Sequence, residues 1–105
     1  MIRLDGQTTL KTLAGVYRLC GAVITTDTGP MHLAAAVGVP TLSMFCPLPA
    51  CEPALWGARG PRAVAVTPSA DYCRTRCPGD PHVCTFAGSV ELSPEAMARR
   101  VLAFP

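Results

Sequence analysis

Apolar and polar positions fall into short blocks along this chain, each a few residues long and separated by glycine or proline. Leu10, Leu13, Ala14, Tyr17 and Cys20 recur at three- and four-residue spacing and predict one face of a helix, with Thr8 or Thr9 as its cap and Gly21 as its stop. Ala22–Thr26 is apolar, turns β-branched at its end and predicts a buried parallel strand. Pro30 suits the opening turn of a second helix, because a missing N–H costs nothing there. Met31–Val37 is apolar on nearly every side and predicts a helix buried all round, ended by Gly38 and Pro40. Thr41–Phe45 and Ala63–Thr67 predict two further strands, and Ile2–Leu4 a short one at the start. Ser93-Pro94-Glu95 combines a cap, a first-turn proline and a first-turn acid, which predicts a last helix running to about Leu102. Residues 46–53 are too rich in proline for helix or central strand, and residues 68–89 read as loop. Strands alternating with helices predict an α/β fold with a partial Rossmann-like parallel sheet and flanking helices. The chain enters this alternation almost at once, which predicts a piece of a larger protein.

Composition narrows the classes. The chain has 105 residues, enough for one modest core. Half are hydrophobic and 15% are charged, which favours a buried, layered fold over a disordered tail or a charged coiled coil. A net charge of +2, spread over scattered arginines and Lys11, gives no nucleic-acid footprint. No apolar run is long enough to span a bilayer, and the first residues hold no secretion signal, so the expected location is cytoplasmic. In that compartment the six cysteines read as thiols or metal ligands before disulfides.

The chemistry concentrates at Asp27-Thr28-Gly29-Pro30-Met31-His32, where a strand ends and a helix begins. Ligands of open α/β sheets bind at this edge. A helix N-terminus offers free N–H groups and partial positive charge to a phosphate. Gly29 admits an anion close to the backbone, and Thr28 and His32 bring donors. Asp27 would repel a phosphate, so it fits the hydroxyls of a sugar attached to one. The plainer reading, Asp27 or Thr28 as a simple helix cap, stays open on these residues alone. Asp-Thr-Gly also occurs in aspartic proteases, but those need a partner carboxylate in an all-β setting. A second cluster, Cys73, Cys77, His82 and Cys84, offers three thiolates and an imidazole for zinc or an iron–sulfur group. The alternative for it is reduced thiols packing a loop. Cys46 and Cys51 read as packing residues.

The segment DTGPMHLAAAVGVPTLSMF resembles glycosyltransferase family 9, the ADP-heptose:lipopolysaccharide heptosyltransferases. Asp27, Thr28, Gly29, His32, Leu33, Ala34, Ala35, Ala36, Gly38 and Pro40 match that family's pattern at fixed spacing. Gly6–Leu10 with Leu13-Ala14, Trp56-Gly57, and the cysteine array followed by Ser93-Pro94-Glu95 look like further family elements. The resemblance implies a GT-B architecture, with residues 1–105 part of the C-terminal nucleotide-sugar (donor) domain and the acceptor domain and its catalytic base absent. It implies inverting transfer of heptose from ADP-heptose to a lipid A–core acceptor at the cytoplasmic face of the inner membrane, with no metal or other cofactor. Thr28, Gly29, Pro30 and His32 would then hold the donor pyrophosphate, Asp27 the donor sugar, and Gln7 and Thr8 would lie near the nucleoside. The chain alone is expected to be inactive, and residues 72–85 are expected to fold over the donor site. A competing reading is a small cysteine-rich metal-binding or redox module without transferase activity. A nucleotide-sugar epimerase of similar fold would carry an acid where His32 stands.

Overall fold

The computed structural model describes residues 1–104. Helix α1 (Leu10–Leu19) starts at Thr9, whose Oγ1 accepts from the Thr12 N–H at 3.2 Å. Its predicted face is only partly used. Leu13, Ala14 and Tyr17 are half-buried, whereas Leu10 and Cys20 at the two ends are exposed. Strand β1 (Val23–Thr26) leads into helix α2 (Gly29–Ala36), and strand β2 (Thr41–Met44) follows. A short helix α3 (Pro53–Trp56) precedes strand β3 (Ala63–Val66), and helices α4 (Ala70–Arg76) and α5 (Pro94–Leu102) complete the chain.

The sheet is parallel in the order β1-β2-β3, with Val23 opposite Thr41 and Thr41 opposite Ala63. Pairing runs past the strand ends, since Val23 N–H donates to Pro40 O at 2.8 Å and Phe45 N–H to Val66 O at 2.9 Å. The central strand is the buried one. Thr41, Leu42 and Ser43 are all covered. The two buried hydroxyls are satisfied locally, Thr41 Oγ1 donating to Val39 O at 2.9 Å and Ser43 Oγ to Val64 O at 3.3 Å. Leu42 packs with Val66, Leu92 and Met97, which brings α5 onto one sheet face. Val23, Ala34 and Val39 form a second cluster with Tyr17, which brings α2 and α1 onto the other. The α/β class and the parallel pairing therefore stand as read from the sequence.

Four expectations are corrected. Ile2–Leu4 is not a strand: Ile2 is exposed, and a turn closed by Gln7 N–H on Leu4 O, with Gly6 at φ +72°, feeds the chain into α1. β1 is half-buried and not buried, because β2 lies on one side of it only; Ile24 is 47% exposed. α2 buries Met31 and Ala34, one turn apart, and leaves His32 and Ala36 in the open, so an all-apolar helix of mostly alanine still has an outer face. Residues 68–89 are not all loop. Ser69 Oγ accepts from Tyr72 N–H at 3.1 Å and opens α4, and Tyr72 OH donates to Ala87 O at 2.8 Å, pinning the returning segment.

The last helix begins where its sequence signal places it. Ser93 Oγ accepts from Ala96 N–H at 3.2 Å. Substituting Ser93→Ala is expected to lower unfolding free energy by about 1 kcal/mol, read as a shift of the urea midpoint at constant slope. An unchanged midpoint would mean that the cap bond contributes nothing net.

Candidate functional site

The segment from Thr26 to His32 crosses the edge of the sheet where the strands end. β1 delivers Thr26 and Asp27 to this edge, and α2 starts immediately beyond. Thr28 occupies the N-cap with extended backbone (φ −147°, ψ 171°), and Gly29 and Pro30 form the opening of the first turn. Three other caps in this chain, Thr9, Ser69 and Ser93, each spend their hydroxyl on an N–H of their own helix. Thr28 does not. Its Oγ1 donates only to Thr26 O, at a long 3.4 Å, and no side chain caps α2. The α2 entrance thus keeps its N–H groups free of any side-chain cap, and a methyl group added at Gly29 would meet nothing within 4 Å. Asp27, Thr28, Gly29, Pro30 and His32 are all solvent-exposed. The arrangement can offer backbone N–H groups, a hydroxyl and an imidazole to an anion, with a carboxylate at the side.

Gln7 and Thr8 stand just ahead of α1, so their place depends on the direction of that helix. The C-terminal end of α1 (Arg18, Cys20) and that of α2 (Val37, Gly38) line one surface depression at the opposite end of the strands. α1 packs against α2 and their C-terminal ends share that depression, so the two helices run in one direction, away from the strand ends that carry Asp27. Gln7 is exposed and Thr8 half-buried just ahead of α1. Among the described residues no hydrogen bond links either to Asp27 or Thr28.

One neighbour of the site was read from the sequence only as packing. Burial raises the Cys51 thiol above its ordinary value, and nearby Cys46 and the Asp27 carboxylate push the same way. The proline-rich loop after β2 therefore brings Cys51 within electrostatic reach of Asp27. Its shape is set by a turn, Cys51 N–H donating to Leu48 O at 2.8 Å, and by Trp56 Nε1 donating to Ala50 O at 2.9 Å. Gly57 follows because a Cβ there would stand 2.5 Å from Pro53 O. No sequence spacing signalled the approach of Cys51 to Asp27, since it depends on how the loop folds back.

The metal reading of Cys73, Cys77, His82 and Cys84 finds no support in the geometry. Among the described residues no three His, Cys, Asp or Glu side chains gather closely enough to hold a metal ion. His82 is exposed and its backbone N–H bonds Asp80 Oδ1, a local turn that holds it outside the thiols. Cys73, Cys77 and Cys84 instead line a small apolar pocket with Cys46, and neither Asp27, Thr28 nor Gly29 borders it. No described helix is long and apolar enough to cross a membrane.

A family model, glycosyltransferase family 9 (heptosyltransferase), matches residues 1–77. The lipooligosaccharide heptosyltransferase 2 of Campylobacter jejuni subsp. jejuni serotype O:2 is 33% identical over 82 residues, covering 77% of this chain and 26% of that protein. The protein of the same name from serotype O:6 is 27% identical over 99 residues, covering 93% of this chain and 30% of its own length. The chain thus spans less than a third of these relatives. No solved structure matches it significantly.

Proposed function

Since this chain belongs to glycosyltransferase family 9, we propose that it supplies the donor-binding part of a heptosyltransferase-like enzyme. In this reading it forms part of the C-terminal domain of a GT-B protein. The enzyme transfers heptose, with inversion, from ADP-heptose to a lipopolysaccharide core acceptor at the cytoplasmic membrane face. The acceptor site and the general base lie in a domain outside these residues, so the chain alone does not turn over.

The uncapped entrance of α2, where Thr28 turns its hydroxyl to Thr26 O through a long bond and not to its own helix, carries the proposal. A hydroxyl that served only the fold would bond its own helix, as Thr9, Ser69 and Ser93 do. Thr28 and the Gly29 backbone hold the pyrophosphate, and His32, one turn in, donates to it. Gln7 and Thr8 face the nucleoside from the neighbouring helix entrance. Asp27 accepts hydrogen bonds from the sugar hydroxyls. As the sugar–phosphate bond breaks, the leaving diphosphate gains charge against donors already in place, so the helix end and the side-chain donors do the stabilising with no resident metal.

The test is titration of ADP into the intact protein. Thr28→Val keeps the shape and removes the hydroxyl. It is expected to weaken ADP binding about tenfold, the worth of one hydrogen bond to a charged group, with the thermal midpoint unchanged. Equal ADP affinity in wild type and variant would sink the assignment of Thr28, and absence of ADP binding by the intact protein would sink the proposal itself.

A further inference from the structure

Trp56 is the single tryptophan of this chain, and it is 55% exposed although its position is held on every side. Its Nε1–H donates to Ala50 O at 2.9 Å across the loop, and its backbone N–H bonds Glu52 O at 3.2 Å. Gly57 has to follow, because a Cβ there would stand 2.5 Å from Pro53 O. An indole has one donor and no acceptor. With that donor spent inside the loop, the exposed ring still offers a ligand only its π surface.

Strand register puts this loop at the candidate site. Thr26 stands opposite Met44, so Asp27 and Phe45 leave β1 and β2 side by side at one edge. The chain then crosses to β3 over the face that carries α2, since Gly60 and Pro61 share a cleft with Ala35 and Gly38 at the far end of that helix. α1 packs against α2, and its Tyr17 joins the Val23 cluster, which puts α1 on the β1 side. The α2 entrance therefore lies between α1 and the loop that holds Trp56. Cys51, next to the Ala50 carbonyl that fixes the indole, lies within electrostatic reach of Asp27.

We propose that the indole face of Trp56 is the platform for the sugar ring of the donor, and so determines which sugar is accepted. This rests on the reading of the α2 entrance as a diphosphate site. From that point the nucleoside extends toward α1 and the sugar toward Asp27 and the loop after β2. The chemistry selects the sugar over the phosphates. An aromatic face carries negative charge density, so it repels an anion and attracts the polarised C–H groups on the apolar side of a sugar ring. Asp27 bonds the hydroxyls of the ring while Trp56 covers its C–H side.

The test compares ADP with ADP-heptose in titrations of the intact protein. Trp56→Ala is expected to weaken ADP-heptose about tenfold and to leave ADP affinity unchanged, and Trp56→Phe, which keeps a ring, is expected to recover most of the loss. The difference in indole emission between wild type and Trp56→Phe isolates this one tryptophan. It should change on adding ADP-heptose and stay constant on adding ADP, and it needs no measurement on the alanine variant, should that fold poorly. Equal ADP-heptose affinity in wild type and Trp56→Ala would overturn the inference, as would an equal loss for both ligands, which marks Trp56 as a scaffold of the loop. Either result leaves the diphosphate site standing, whereas absence of ADP binding by the wild type removes that site and the inference with it.

Discussion

Asp27→Ala in the intact enzyme is expected to lower kcat/KM for the sugar donor by roughly 10- to 100-fold while leaving ADP affinity undiminished. The two halves of this result have separate causes. The carboxylate is exposed at the end of β1, ahead of the α2 entrance, and it is an acceptor only. It gives a phosphate nothing but repulsion. It gives sugar hydroxyls two oxygens to bond. Losing it therefore removes contacts to the transferred group, and relieves repulsion toward the nucleotide. Steady-state kinetics and an ADP titration on the same preparation separate these effects. If ADP binding falls as far as transfer does, Asp27 serves the fold of the turn and not the sugar. The Asn variant is a useful companion, because it keeps a hydrogen-bonding side chain of similar size and discards the charge.

The largest stability effect is expected at Phe45. It is fully buried, directly beyond β2, with its N–H on Val66 O. Phe45→Ala opens a cavity where the sheet and the loop to α3 meet, and large-to-small changes of this kind cost about 3–5 kcal/mol. Domains of this size have only about 5–15 kcal/mol in total, so the variant is expected to melt far below wild type or to be unfolded at 37 °C. Urea denaturation measures it. A loss under about 1 kcal/mol would mean that neighbours collapse into the space. Phe45→Leu, which keeps most of the volume, should lose clearly less.

Much of the fold was legible because local signals agreed with one another. Ser93-Pro94-Glu95 set the start of α5, and the apolar runs at Thr41 and Ala63 set β2 and β3. What misled was burial. An apolar residue reports a preference, but its neighbours decide whether it is covered. Ile24 and Val64 flank Leu42 in register, yet α5 covers the middle strand and leaves them 47% and 38% exposed. α4 was missed because its cap, Ser69, stands after a proline and its body holds two arginines and a cysteine, a composition that reads as loop. The candidate site was legible in its residues and in its place at a strand end. That Thr28 leaves α2 uncapped was not, since a sequence does not say whether a cap is used.

The common direction of α1 and α2 has a kinetic consequence. In an antiparallel helix pair the two backbone dipoles cancel at either end. Here they add, and the sheet edge bearing Thr28 and Gln7 carries the positive ends of both. An approaching polyanion meets this potential before it touches any donor. Capture should therefore be faster than for a single helix end, and its rate should fall as salt is raised through the range where the screening length drops below about 10 Å, while the dissociation rate changes little.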